Sequence, residues 1–421
     1  GYDGRKWIKT KVNIEDHVVV PNVDLDKIGQ NGDEYVGDYI SRLTMITLDK
    51  STPLWDIHIL NVKTSDAEAV TVIRTHHSLG DATSLMSLLV ASTRKTSDPK
   101  AFPTIPALKR RGTTSFSLIK KNWFMKFIFT MCNALILIWN TVIDVLLVWA
   151  TILFLKDTET PLHSRKDTGS NLRRFYHRTV SLDDIRLIKK AMNMVWYDSS
   201  CAKCCKTIND VLLGVTQASV SRYMNCRYGN RKPEDGIRIR SGVAINLRSE
   251  VGLQPLADMM SKGSKCRWGN YVSLFLFPFS TGLETDPLVY LSKTKSTMDG
   301  MKNSLLPTII FWSIKSIFNI LGAKIGAVIL KRTASNTTLC LSNVTGPIEE
   351  VSFKGHPIAY IALSTYGHSQ ALLIHFTSYA KDMLISIAID PMVIPDPQEL
   401  LDEMEDSLKA MKATLFERGL L

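Results

Sequence analysis

The 421-residue sequence has no internal repeat at a solenoid period and no low-complexity tract. A chain of this length therefore buries a sizeable core and is expected to divide into two domains. It lacks zinc-finger spacing, an RNA-binding signature and any concentrated basic-aromatic tract. Nucleic acid is thus not the expected partner, although the formal net charge is +11. The scattered cations point instead to a phosphate-bearing cofactor or a lipid headgroup surface. Cysteines number only seven, and Cys201, Cys204 and Cys205 have neither a second Cys-x-x-Cys pair nor a histidine doublet nearby. Reduced structural thiols in a cytosol-facing protein are the expectation, and no metal site is. No signal-type n-region and h-region opens the chain, which starts Gly1-Tyr2-Asp3 without methionine and reads as the middle of a domain with an N-terminal piece missing.

What is present is Thr75-His76-His77-Ser78-Leu79-Gly80-Asp81-Ala82-Thr83-Ser84. The β-branched run from Ala69 to Thr75 predicts a buried strand. Thr83 or Ser84 is expected to cap a helix carrying Leu85, Leu88 and Leu89 at helical spacing. The histidines thus sit where a strand ends and a helix begins, a place that presents side chains to a cleft. An imidazole titrates near neutrality and accepts a hydroxyl proton, while an aspartate four residues on from His77 can lock the turn. Histidine pairs at turns also arise for structural reasons alone.

Upstream, Pro53-Leu54-Trp55-Asp56-Ile57-His58 reads as a loop whose tryptophan is a packing anchor. Downstream, Asp98 to Gly112 reads as a surface linker. From Phe127 to Leu155 there is no basic residue and a single acid, Asp144, and the run exceeds the length needed to cross a bilayer. Yet Lys126, Asn133, Asn140, Asp144 and Thr151 recur at spacings that line one helical face, as if protein lay on that side and lipid on the other. A buried core helix is the competing reading. Pro307 to Leu330, interrupted by Lys315 and Lys324, reads as an interfacial helix.

Thr207 is expected to cap a helix that starts with Asn209 and Asp210 in its first turn. Strands are expected at Ile237 to Leu247, Tyr271 to Phe279, Thr338 to Leu341, Ile358 to Leu363, Ala371 to Phe376 and Met383 to Ile389. Asn343-Val344-Thr345-Gly346-Pro347 reads as a turn, and Asp396 to Lys412 as a closing amphipathic helix. Two successive sets of strands and helices give an α/β or α+β class. Asn336 and Asn343 head glycosylation-type tripeptides, which matter only in a lumenal domain.

The motifs Pro53-Leu54-Trp55-Asp56-Ile57-His58, His76-His77-Ser78-Leu79-Gly80-Asp81, Asn209-Asp210, Ala244-Ile245-Asn246-Leu247-Arg248, Gly269-Asn270-Tyr271-Val272 and Ser342-Asn343-Val344-Thr345-Gly346-Pro347 occur in one order. In that order, over nearly the whole chain, the sequence resembles the plant wax ester synthase/diacylglycerol acyltransferases, within the His-x-x-x-Asp acyl-CoA-dependent transferases. The resemblance implies two chloramphenicol acetyltransferase-like domains of mixed sheets flanked by helices. Residues 1–112 would carry the His-x-x-x-Asp turn, 113–165 a hydrophobic membrane-associated crossover, and 166–421 the second domain.

It further implies His77 as general base with His76 beside it, Asp81 supporting the turn, and Asn209 and Asp210 shaping the site. Pro53, Leu54, Trp55, Gly80 and Asn270 are the implied substrate-binding positions. The co-substrate would be acyl-CoA, with no resident cofactor, no metal and no nucleic acid. The acceptor would be a long-chain alcohol or diacylglycerol drawn from membrane lipid. The location would be the endoplasmic reticulum, or else the plasma membrane, with the site facing the cytosol.

Two points qualify the match. The family motif ends Asp-Gly where this chain has Asp81-Ala82, which strains the turn if positive φ is needed and is harmless if a helix starts there. That departure motivates an alternative, a catalytically impaired lipid- or acyl-CoA-binding protein with the same fold. A soluble-alcohol or amine acyltransferase of the same superfamily is a third reading, against which the apolar helix speaks. A single crossing at that helix would also part His77 from Asn209, so a helix lying in or dipping into the cytosolic leaflet is expected.

Overall fold

A computed structural model of the chain describes residues 11–24, 29, 31–104, 123–163, 172–195, 207–228, 236–248, 253, 255–260 and 268–421. The Cys201–Cys205 cluster and the expected domain boundaries near 112 and 165 lie outside these residues. In chain order the elements begin with β1 (Val18–Val19), α1 (Gly32–Met45), β2 (Trp55–Leu60), β3 (Val70–Thr75), α2 (Ala82–Ser92), β4 (Arg94–Lys95) and α3 (Trp123–Leu153). Next come β5 (Arg174–Ser181), α4 (Leu182–Val195), α5 (Ile208–Tyr228), β6 (Ile239–Asn246), α6 (Leu256–Met260), β7 (Val272–Phe279), α7 (Pro287–Lys302), α8 (Leu306–Ile320) and α9 (Gly322–Ser335). The chain closes with β8 (Leu339–Thr345), β9 (Val351–Phe353), β10 (His356–Pro357), β11 (Leu372–Tyr379), β12 (Asp382–Ile389) and α10 (Pro397–Glu417).

The larger sheet runs β5-β12-β11-β8-β6-β7 and mixes parallel and antiparallel pairs, and a smaller one runs β1-β2-β3. This is the mixed α/β class expected from the sequence. Strands β11 and β12 are buried along nearly their whole length, as their largely apolar sequences favour. In β7, by contrast, deeply buried residues alternate with less buried ones. Helix α5 is buried on nearly every side and sits in the main core, which it shares with Ile185 and Ile188 of α4 and Leu400, Leu401 and Met404 of α10.

Several local expectations are corrected. Trp55–Leu60 is strand β2 rather than a loop, because its pairing with β3 satisfies the backbone that a loop would leave to water. Ile358 to Leu363 has no strand, and Asn343–Thr345 is the end of β8 instead of a turn. The expected single helix over 307–330 is two helices that break at Gly322, whose φ of +83° turns the chain.

Two features place the histidine turn between the halves of the chain. Met86 and Val90 of α2 pack with Val344, Val351, Tyr379 and Leu384 from the C-terminal half. Immediately after α2, Arg94 and Lys95 pair with Ser352 and Val351, so the N-terminal part lends a strand to the far side.

Candidate active site

The turn begins where β3 leaves the small sheet. His76 N–H donates to the Leu54 carbonyl at 2.9 Å, one step beyond the last β2–β3 pair, Trp55 with Thr75. The Pro53-Leu54-Trp55 segment thereby braces the histidines through its backbone. The Trp55 ring itself stacks on His17 at 4.4 Å between centroids. Underneath, Arg74 holds Asp56 through two nitrogens, while its Nη1 donates to the Leu43 and Ile46 carbonyls. The Asp56 carboxylate beside it holds the Arg74 pKa above its ordinary value.

His77 is exposed, and its carbonyl accepts a hydrogen bond from Asn270 Nδ2 at 2.8 Å. His76 is turned to Ser78, with Nδ1 and Oγ 2.7 Å apart. Gly80 is buried, and a Cβ there would stand 3.0 Å from Ser84 Cβ and 3.5 Å from Trp268, so the position is small for reasons of space. The Trp268 indole N–H donates to the Leu79 carbonyl at 2.7 Å, tying the far segment across the turn.

Asp81 is 5% exposed and is the N-cap of α2, correcting the expected Thr83 or Ser84. Its Oδ1 accepts from Ser84 N–H at 3.0 Å, and its Oδ2 accepts from Tyr271 N–H at 2.9 Å and Arg248 Nη1 at 2.7 Å. An aspartate outcompetes later hydroxyls as a cap because its charge also meets the positive end of the helix. Arg248 donates further to Ser84 Oγ and to the Gly269 carbonyl, both at 2.9 Å, and lies over the Tyr271 ring. Ala82 is the first residue of α2 and is not among the positive-φ residues, so it carries no strain.

The Asn209-Asp210 pair falls in the first turn of α5, as expected, but its members differ. Asp210 is 1% exposed, accepts from Thr207 N–H at 2.6 Å and pairs with Lys302 at 3.2 Å. That is a reciprocal cap anchored by a cation. Asn209 is exposed and accepts from Asn343 Nδ2 at 2.5 Å. Ile208 and Asn343 line a cavity of about 120 Å³ with Thr345, Pro347 and Ser378; no residue of the histidine turn lines it.

Sequence reasoning missed Arg248, Trp268 and Tyr271 as individuals, although the motifs containing Arg248 and Tyr271 were visible, and it read Ser84 only as a possible helix cap. It also missed two histidines. His375, on β11, is buried with Nε2 3.2 Å from Thr365 Oγ1, and burial, then His368, push it down to about 4. His368 is itself held below the ordinary histidine value by desolvation, with His77 and Arg173 adding to the effect. Among the described residues no cluster of His, Cys, Asp or Glu could hold a metal ion. Burial pushes the Cys340 thiol up to about 11, which removes it as a nucleophile. The Asn336 amide is buried and donates to the Thr151 carbonyl at 2.6 Å, so that side chain is not a glycosylation acceptor in the fold.

Two family models match the chain: the wax ester synthase/diacylglycerol acyltransferase catalytic domain over residues 1–198 and the WS/DGAT C-terminal domain over residues 268–412. The chain belongs to the wax ester synthase/diacylglycerol acyltransferase family. Among its relatives in Arabidopsis thaliana, wax ester synthase/diacylglycerol acyltransferase 7 is 56% identical over 100% of this chain and 88% of its own length. Wax ester synthase/diacylglycerol acyltransferase 10 is 58% identical over 98% of this chain and 85% of its own. The solved wax ester synthase/diacylglycerol acyltransferase from Marinobacter aquaeolei VT8 superposes with a TM-score of 0.57 at 16% identity, covering 97% of this chain and 82% of that one. A trichothecene 15-O-acetyltransferase from Fusarium sporotrichioides superposes at 0.54 with 11% identity, covering 94% and 76%. At those identities the superpositions show a shared fold, that of the acyl-transfer enzymes to which the sequence was likened.

Proposed function

We propose that this family acyltransferase moves a long-chain acyl group from acyl-CoA to a fatty alcohol, and to diacylglycerol, with His77 as general base. The supporting observation is the division of labour in the turn. His77 is exposed, whereas Asp81 is sealed in by Ser84, Tyr271 and Arg248 and so serves position rather than proton transfer.

In this reading the acceptor hydroxyl gives its proton to His77 as its oxygen attacks the thioester carbonyl carbon. The oxyanion is met by backbone N–H groups of the turn or by Asn209. The carbon–sulfur bond then breaks, and the CoA sulfur takes the proton back from His77, leaving ester and free CoA. Pro53, Leu54, Trp55, Gly80 and Asn270 would shape the substrate path. The thioester is already activated, so the reaction needs no resident cofactor or metal.

Among the described residues one helical stretch, Phe127–Leu153, is long and apolar enough to cross a membrane, by length and composition. We place the enzyme on the endoplasmic reticulum with its site on the cytosolic side, where acyl-CoA and lipid acceptors meet. Ala82, as an ordinary helix start, gives no reason to favour the impaired binding protein. The test is to incubate the purified chain with labelled palmitoyl-CoA, hexadecanol and diacylglycerol and to separate the lipid products. Wax ester and triacylglycerol are expected, and neither from His77→Ala; full activity in that variant would sink the assignment.

A further inference from the structure

Helix α3 has 31 residues, roughly 46 Å at the α-helical rise, and exposes Leu135, Trp139, Leu146 and Trp149 by more than half. Beside it, α8 and α9 form a hairpin so close that a Cβ on Gly326 would meet the Phe318 ring at 2.5 Å. The hairpin exposes Trp312 by 57%, Ile320 by 73% and Val328 by 64%. Three touching helices with this much bare apolar surface exceed what a soluble monomer leaves to water.

Helix α3 is also not free to leave the body. Val145 and Val148 pack on the main core, and Thr141 Oγ1 accepts from Leu305 N–H at 2.9 Å. At its end, Arg240 donates to Thr151 Oγ1 at 2.5 Å, and Arg332 donates to the Ile152 and Leu153 carbonyls at 2.5 and 2.8 Å. Buried Asp157 then fixes Arg240 at 2.6 Å and Thr338 Oγ1 at 2.7 Å. A helix fastened along its C-terminal half cannot pass through a bilayer alone.

The charge on the α8–α9 hairpin has one sign. From Leu306 to Ser335 there is no Asp or Glu, while Lys315, Lys324, Lys331 and Arg332 are present. Lys315 Nζ lies 5.0 Å from the Trp312 ring, a basic and aromatic pairing suited to a headgroup boundary. The surface also reaches the catalytic turn. Phe311 of α8 stacks on Tyr271 at 6.0 Å, and Tyr271 is the residue whose N–H holds Asp81.

We propose that α3, α8 and α9 form one monotopic platform that sinks into a single leaflet bearing anionic headgroups, with no crossing, and delivers the lipid acceptor beside Tyr271. The delivery step rests on the acyl transfer proposed above; the docking does not.

Two measurements test it. In sealed microsomes, epitope tags inserted between Ser97 and Lys100 and placed after Leu421 flank α3. Both should be cut by external protease, and protection of one alone would overturn the platform in favour of a span. Flotation of the full chain should be stronger with phosphatidylcholine vesicles containing phosphatidylserine than with phosphatidylcholine alone. Replacing Lys315, Lys324 and Lys331 together by alanine should erase that difference.

Leu146→Glu with Val328→Glu should cut vesicle binding about tenfold or more. Leu187→Glu, on α4 away from the platform and also exposed, should leave it unchanged. Wild-type flotation of the Leu146/Val328 variant would overturn the platform, as would a lipid-free dimer that the same pair of substitutions dissolves, since a second copy would then cover the face. Absent ester synthesis with flotation intact would sink the proposed activity and leave the docking standing. Normal synthesis from micellar substrates with unaltered flotation of the variants would do the reverse.

Discussion

Arg248 closes on Asp81 from 167 residues away, with 2.7 Å between Nη1 and Oδ2 and side chains only 1% and 6% exposed. Removing either partner strands a buried charge, which costs about 3–5 kcal/mol. Arg248→Met is therefore expected to lower stability by that order and to abolish transfer, read by denaturant unfolding and ester synthesis. Asp81→Asn, which still caps the helix, should lose less than Asp81→Ala. Equal losses for the two would show that capping contributes nothing.

His77 meets its neighbours through its backbone carbonyl, so His77→Ala should leave the melting temperature near the wild-type value. Transfer should fall by roughly 10²–10⁴, the range for a positioned general base. His76→Ala, whose ring is turned to Ser78, should retain most activity. Reversed rankings in a kcat comparison would move the base to His76.

Asn209 and Asp210 should separate in a stability assay. Asp210→Ala removes a cap and leaves Lys302 unpaired, for a loss of about 1–2 kcal/mol. Asn209→Ala removes one exposed amide contact and should cost under about 0.5 kcal/mol, so any large fall in its turnover would belong to chemistry.

Restoring the family glycine should not help. Ala82→Gly places a flexible residue in the first turn of α2, so stability is expected to drop by up to about 1 kcal/mol with no gain in rate. A rise in kcat would mean that the turn must change conformation during catalysis. Gly80→Ala is the damaging exchange, because Ser84 stands 3.0 Å from the new methyl.

His375 sets an acid limit. Its folded pKa of about 4 lies below the ordinary histidine value of 6.5, so the unfolded chain takes up a proton that the folded one refuses. Stability is full above about pH 6.5 and falls as pH drops towards 4, by roughly 3 kcal/mol over the window. The depressed His368 acts in the same direction. Unfolding free energy measured against pH should flatten in His375→Leu, and an unchanged slope would assign the acid sensitivity elsewhere.

Local order was legible where local rules act. The order of strand, turn and helix around His77, the Thr207 start of α5 and the polar seam of α3 follow from periodicity and capping, although β3 is half exposed where a buried strand was expected and the cap is Asp81 where Thr83 or Ser84 was expected. On that seam, Thr151 is sealed and Asn140 donates to the Asn303 carbonyl at 3.5 Å. The errors fall where partners distant in sequence decide. Trp55–Leu60 became a strand through β3 and β1, and Asn343 stayed in β8 through its pairing with Phe376. Arg248 could be seen only as a motif residue, since nothing in its own neighbourhood announces a carboxylate on the other half of the chain.

The Asp157 knot has a consequence in time. Its partners Arg240 and Thr338 lie 83 and 181 residues further along the chain. At about 5–20 residues per second, the most hydrophobic helix leaves the ribosome roughly ten to forty seconds before its last fastening exists. During that interval its whole surface needs a host, so synthesis without membranes or chaperones should end in aggregation before the chain is complete.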